Sequence, residues 1–323
     1  MSIFLLSEAV VAGVLTRTLA FAAVREAFVA SAAGDGEIFA VAQGRGNPEG
    51  SSFSLKSALV ASRDIGGFKF GSYWPGNRAR DIPAHASLTV LIDGQTGLPR
   101  AILNASRLNA FRTAAADAVA TEALARPDAE TLGLVGCGHQ AEFEIRAILD
   151  IRPIKSIRLW NRTPDGAVRL RDALADLALE VAVVDEIEDA LKSDIIITTT
   201  AARTALVRAD AVRPGTHISA MGSDQPGKQE LDIALVADAK LFADKPEQSI
   251  RIGEFQHAQA RGLLRADAIT AIGAVLAGTA SGRTTPDEIT IFDSSGIAMQ
   301  DVLIAEAILQ AAIASGTVRS IAF

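Results

Sequence analysis

The sequence predicts an α/β protein in which a parallel, doubly wound domain is inserted into an α+β domain. Three observations carry this. From Thr131 the chain alternates short β runs with helical stretches (TLGLVG, SIRLW, VAVV, DIIITTT, THISAMG, AKLFAD), as a parallel sheet covered by helices on both faces requires. Ahead of that region, alternating apolar and polar runs punctuated by glycines read as antiparallel strands. After it, a last strand ITIFDSSG (289–296) leads into a helix from about Ile297 to Ser315, expected to pack back on the first domain. The expected division is residues 1–115 with 300–323 around an inserted 116–299.

In chain order, residues 1–35 read as a short strand followed by helices, with Ser7 as N-cap and Glu8 in the first turn. IFAV, SFSLK and GFKFGSYW read as strands, with turns placed at Gly44–Gly50 and Gly66–Gly67. SLTVLID (87–93) and AILNAS (101–106) form a hairpin across the turn Gly94–Gly97. Leu108 to Ala125 reads as an alanine-rich helix ending before Pro127.

Bulk composition narrows the function. Hydrophobic residues make up 49% and charged residues 21%, which suits a globular protein with a sizeable core; at 5% aromatics, that core must rest on Val, Ile, Leu and Ala. The formal charge of −7, with Lys and Arg scattered, argues against a nucleic-acid partner. Cys137 is the only cysteine, so no intramolecular disulfide or thiolate cluster forms, which fits a reducing, cytoplasmic setting. His85, His139, His217 and His257 show no metal-ligand spacing. No run of about 18 uncharged apolar residues reads as a membrane span, and the N-terminal stretch, carrying Glu8, Arg17, Arg25 and Glu26, reads as amphipathic helix and not as a signal peptide.

The strongest motif is Gly136-Cys137-Gly138-His139-Gln140-Ala141, a G-x-G-x-x-A that follows a strand and opens a helix. Gly136 permits the tight turn, Gly138 lets the backbone approach a pyrophosphate, and Ala141 lets helix and strand pack closely, as in a Rossmann dinucleotide-binding domain. The helix N-terminus offers N–H groups and partial positive charge to phosphates. Cys137 reads as a small residue under the dinucleotide and not as a reactive thiol. After the second strand come Asn161, Arg162 and Thr163, with no carboxylate until Asp165. An acidic residue there would hold a ribose 2′-hydroxyl; Arg162 and Thr163 instead suit a 2′-phosphate, which favours NADP(H) over NAD(H). Thr199, Met221 and Asp293 join the cofactor-binding candidates, Asp293 either lining the nicotinamide side or capping the next helix.

Several stretches together resemble the ornithine cyclodeaminase/mu-crystallin family: GGFKFGSYWPGN (66–77), TGLPRAIL (96–103), FRTAAADAVA (111–120), GCGHQA (136–141), SAMGSDQPGKQELD (219–232) and ITIFDSSGIAMQDV (289–302). They follow the family's order over most of the chain. The resemblance implies a homodimer built through the first domain's sheet, a substrate-binding and dimerisation role for that domain, and an active site between the domains. It implies a substrate contact at Lys69, a carboxylate-binding arginine at Arg112 and a catalytic acid/base at Asp224. A further arginine usual in the family aligns with Gln43, so Arg45 or Lys56 is left to supply the third cation.

The residue types suit the implied chemistry. An α-imino acid presents a carboxylate to a guanidinium fork, and a carboxylate near its nitrogen stabilises the iminium and exchanges its proton. Plainer readings stand beside these: Lys69 snorkelling from a strand, Arg112 pairing with Asp117 or Glu122, Asp224 as a turn former before Pro226-Gly227, and His257 as a structural histidine. GSYWPGN, AMGSDQPGKQELD and SIRIGEFQHA (249–258) look most like the family's bacterial imino-acid reductases, which tend to use NADH. The expected reaction is reduction of iminosuccinate or of a cyclic ketimine such as 1-pyrroline-2-carboxylate to the L-amino acid. The alternatives are a cyclodeaminase that releases ammonia from ornithine, and an NADPH- and ligand-binding protein of the mu-crystallin type.

Overall fold

The computed structural model describes residues 2–265 and 267–322 and, for Arg78, the backbone alone. The ends of the expected first domain, Met1 and Phe323, lie outside the described residues. The chain divides into two compact units, Met1–Arg112 with Ile297–Phe323, and Thr113–Gly296. The positions expected as boundaries, 115 and 300, fall inside the helices Ser106–Leu124 and Ala298–Ala314.

The first unit is built on an eight-stranded sheet. Its strands are β1 (Ser2–Leu6), β2 (Glu37–Ile38), β3 (Ala42–Arg45), β4 (Ser52–Val60), β5 (Ile65–Tyr73), β6 (His85–Asp93), β7 (Pro99–Asn104) and the C-terminal Arg319–Ala322. In space the C-terminal strand lies beside β1, then come β7, β6, β5 and β4, with β2 and β3 both on β4. Among the described residues, only the β1–β7 pair of this sheet is parallel. Ser7 caps the helix Glu8–Val14, its hydroxyl accepting from Val10 N. The helix Ala298–Ala314 packs against the helix Arg17–Ala33 and against β4, β5 and β6. Alternation then sorts the sheet. Ala58, Val60, Leu91, Ala101 and Leu103 are buried on one face, whereas Phe68, Phe70, Leu88 and Val90 share the other and are only half-buried.

Two expectations fail here. Gly66 and Gly67 lie inside β5, and the bend falls at Ala61–Arg63, closed by Asp64 at φ 48°. Gly67 is glycine for packing: a Cβ there would meet Val90 O at 2.4 Å and the Val302 side chain at 3.4 Å. IFAV is not one strand, because pairing lapses between Ile38 and Ala42. Phe39 and Val41 are 43% and 39% exposed, so burial does not select a single register for that run.

The second unit holds a parallel sheet of β8 (Thr131–Val135), β9 (Ser156–Trp160), β10 (Glu180–Val183), β11 (Ile195–Thr198), β13 (His217–Ala220), β15 (Lys240–Ala243), β16 (Ile269–Ala271) and β17 (Thr290–Asp293). Its order is β10-β9-β8-β11-β13-β17-β15-β16, every neighbouring pair parallel. The two remaining strands, β12 (Arg203–Val207) and β14 (Gln229–Leu231), form a small parallel pair of their own. The continuous apolar runs of β8 and β11 are buried throughout, as strands covered on both faces must be. Strand order reverses direction at β8, where the glycine-rich turn begins; ligands of such sheets bind in the crevice beyond the strand C-termini at this kind of switch point.

Candidate active site

At the end of β8 the chain turns through Gly136 at φ 101°, where a Cβ would also meet Thr200 Cγ2 at 2.7 Å. Gly138 is the N-cap of the helix His139–Leu149, with no side chain capping it and nothing within 4 Å of an added Cβ. An open glycine beside an uncapped helix N-terminus is the cradle a pyrophosphate requires. The loop is held from both sides. Asn161 Oδ1 accepts from Cys137 N at 2.9 Å while its amide donates to Thr163 O, and Thr199 Oγ1 donates to Gly136 O at 2.7 Å. Asn161 and Thr199 therefore shape the loop. Arg162, Thr163 and His139 are exposed around it, Met221 is buried at the end of β13, and Gln140 Nε2 donates to Glu144. The Cys137 thiol is pushed up to about 12 by burial, which leaves it inert.

Asp293 has neither expected role. Its carboxyl is turned inward, accepts from Ser249 Oγ, and is fully buried; the helix that follows is entered through Ile297. Burial and the neighbouring Asp244 raise it well above the carboxylate range, and the group packs beneath the strand ends.

The first unit gathers the cations. Lys69 on β5 stands directly opposite Lys56 on β4, on the face that carries the core. Lys69 Nζ donates to Asp301 Oδ1 and to Asn109 Oδ1, both at 2.9 Å. Arg112 donates to Asn109 Oδ1 at 3.1 Å and to Gln300 Oε1 at 3.3 Å, and its Nε lies 3.6 Å from Asp301. Lys69 and Arg112 are 11% and 9% exposed at the side chain and Asp301 only 2%, which excludes the snorkelling reading of Lys69. Arg112 pairs with neither Asp117 nor Glu122 in this arrangement. Burial pushes the Lys69 ammonium down to about 8; Asp301 opposes this, and Arg112 and Lys56 add to it. Burial alone would raise Asp301, but Lys69 and Arg112 outweigh it and hold the carboxyl below its ordinary value. Lys69, Arg112 and Lys56 thus gather around one buried carboxylate, an arrangement whose chemistry suits an anion. Arg45 shares this face but pairs with Ser52, four residues along β4 from Lys56, and Gln43 with Ser54, two residues along. Register thus brings Lys56, and not Arg45, to Lys69.

Asp224 lies on the loop after β13, half exposed, with Lys228 Nζ at 2.6 Å from its Oδ1. Asp301, Asn109, Gln300 and Lys228 were not singled out by sequence reasoning. One signal was present: Gln300-Asp301 is a polar pair inside the apolar run IAMQDVLIA, and polar residues on a buried helix face are informative.

A parallel dinucleotide-type sheet with a glycine-loop cradle, carried by a chain that also builds a buried cation cluster, defines a pyridine-nucleotide-dependent enzyme of small anionic substrates. The ornithine cyclodeaminase/mu-crystallin family model matches residues 3–316, and the chain belongs to that family. It is 37% identical over 315 residues to the iminosuccinate reductase of Paracoccus denitrificans, covering 98% of each chain. The structure of that reductase in complex with NAD+ superimposes with a TM-score of 0.96 over 100% of both chains, at 36% identity. An archaeal alanine dehydrogenase dimer with bound NAD gives 0.93 at 31% identity, again over 100% of both. The Δ1-pyrroline-2-carboxylate reductase of Thermococcus litoralis, with NADH and L-proline, gives 0.91 at 26% identity, over 99% of this chain and 100% of that one.

Proposed function

We propose that the chain reduces a small α-imino acid to the amino acid with a nicotinamide dinucleotide, and that iminosuccinate and cyclic ketimines such as 1-pyrroline-2-carboxylate are its substrate class. The observation that carries this is the buried Lys69–Asp301–Arg112 cluster with Lys56 beside it, an anion site on the fold of NAD-linked imino- and amino-acid enzymes. The first unit is the substrate-binding and dimerisation unit, and the second the dinucleotide unit.

The cradle at Gly136, Gly138 and the N-terminus of the helix His139–Leu149 fits a dinucleotide pyrophosphate, with Thr199 and Asn161 fixing its shape. When bound, the reduced dinucleotide supplies the hydride. The chain's own residues do the rest. Arg112 offers the planar fork that pairs with a carboxylate, and Lys69 a compact charge beside it. Lys56 supplies the further cation a second carboxylate needs. Asp224 holds the proton at the imine nitrogen, so that carbon receives a hydride, nitrogen keeps a proton and the C=N bond becomes C–N. Arg162 and Thr163 at the end of β9 support acceptance of NADP(H) beside NAD(H), since a guanidinium there suits a 2′-phosphate.

The test follows NADH and NADPH oxidation with oxaloacetate plus ammonia, 1-pyrroline-2-carboxylate, and pyruvate plus methylamine. Ornithine with NAD+ and an ammonia assay runs alongside. Oxidation with one of the imines is expected. Ammonia from ornithine without net oxidation would make the protein a cyclodeaminase, and silence throughout would sink the reductase reading.

A further inference from the structure

The segment Glu254–His257 precedes and opens the short helix Gln256–Ala260 and makes hydrogen bonds to one thing above all, the backbone of the loop that carries Asp224. Gln256 Oε1 accepts from Gly227 N at 2.7 Å, and its Nε2 lies 3.2 Å from both Gln225 O and Lys228 O. His257 Nε2 lies 3.1 Å from Lys228 O. Glu254 accepts from Glu230 N and Leu231 N, and the Ser223 hydroxyl bonds to it as well. From the other side Glu230 accepts from Gly222 N at 2.9 Å, which ties the start of the loop to Thr198 and Thr200. Within the loop Lys228 Nζ bridges Gly222 O and Asp224 Oδ1. Almost every attachment is thus made at the flanks, and Asp224 itself is left half exposed at the crest, ion-paired with Lys228.

That arrangement is costly for mere loop anchoring. Glu230 and Glu254 are 0% and 2% exposed and are close enough that Glu230 adds to burial in raising Glu254 to about 8. A turn needs no two buried acids. Holding one carboxylate to a fraction of an ångström does call for such a frame, since misplacing a proton-handling group by about 1 Å costs on the order of a hundredfold in rate.

We propose that Gln256, with Glu254 behind it, is a positioning residue of the reduction: it acts through the Gly222–Lys228 backbone to aim the Asp224–Lys228 pair at the substrate nitrogen. This rests on the imino-acid reductase reading and on Asp224 as its proton-handling residue.

The experiment is a double-mutant cycle on the full chain, with Gln256→Leu, Asp224→Asn and the combined variant. It reads kcat and KM with the best imine of the panel, together with dinucleotide affinity by fluorescence titration. Gln256→Leu is expected to lower kcat about tenfold or more while leaving dinucleotide affinity within about twofold. Asp224→Asn is then expected to cost at least about tenfold less in the Gln256→Leu background than in the wild type, because the leucine has already misaimed the carboxylate. Independent, multiplicative losses would overturn the proposal while leaving the reductase reading intact. A wild type that reduces no imine would overturn both. Should Gln256→Leu lose dinucleotide binding, the cycle is repeated with Gln256→Asn, which keeps the amide but shortens its reach, under the same criterion.

Discussion

Burial decides how Lys69 behaves. With its ammonium pushed down to about 8, the residue is a cation at neutral pH and loses its proton over the range in which an exposed lysine keeps it. Anion binding needs the charged form, so kcat/KM for the imino acid is expected to hold below that value and to fall above it, roughly tenfold per pH unit at the limit. Lys69→Arg keeps a charge throughout and should erase this limb of the pH profile while the substrate's own titration remains. A limb unmoved in the arginine variant would assign it to the substrate. Asp301 is the counterpart. Removing its charge in Asp301→Asn leaves Lys69 and Arg112 buried against each other, so a stability loss of about 3–5 kcal/mol is expected in urea unfolding at pH 7. A loss below about 1 kcal/mol would show that the cluster tolerates its cations unpaired. Lys69 and Arg112 were legible in the sequence because each stands in a distinctive local motif. Asp301 was not, because its meaning comes from a contact spanning 232 positions, and nothing in its own helix marks it beyond being polar among apolar neighbours.

Elements were legible where one periodicity ruled over several residues. The strands β8, β9, β10, β11, β13, β15 and β17 and the helix Ser106–Leu124 follow from apolar runs and alanine-rich stretches bounded by glycine and proline. The failures share a cause, tertiary contact overriding local signal. A Gly-Gly pair reads as a turn on its own, yet Gly66-Gly67 continues β5 because the helix Ala298–Ala314 packs against that strand and the space at Gly67 is taken by Val90 O and Val302. The strands β12 and β14 escaped notice because three to five residues paired only to each other carry no usable period. The glycine explanation is testable. In Gly67→Ala the new methyl would meet a backbone oxygen that cannot swing aside, so a loss of about 1–3 kcal/mol is expected from thermal or urea unfolding. Gly71, two pleats along the same face, has nothing within 4 Å of an added Cβ, so Gly71→Ala should be close to neutral. Equal losses at the two positions would mean that strand flexibility, and not the close approach, selects glycine.

For the molecule as a whole, the train of β runs from Thr131 pointed to the parallel sheet, but which surface would meet a second copy is a matter of sheet faces. The first unit's sheet divides cleanly. One face carries the core and the Lys56–Lys69 pair, whereas the other presents Phe68, Phe70, Leu88, Val90 and Ile102 half-buried, with Leu5 41% and Ile321 44% exposed at its edge. A contiguous apolar sheet face is a liability in a monomer and the usual mark of an interface. The archaeal alanine dehydrogenase of the same fold is a dimer, and the expected occupant is a second copy related by a two-fold axis. Light scattering should therefore return twice the chain mass. Leu88→Glu, which sets a charge in the middle of that face opposite Phe70, should shift the mass to that of one chain at micromolar concentration. Because Leu88 belongs to the first unit and the glycine cradle to the second, dinucleotide affinity should survive the change. A variant that stays dimeric would move the interface elsewhere, and one that loses dinucleotide binding would show that the second unit's fold depends on the assembled pair.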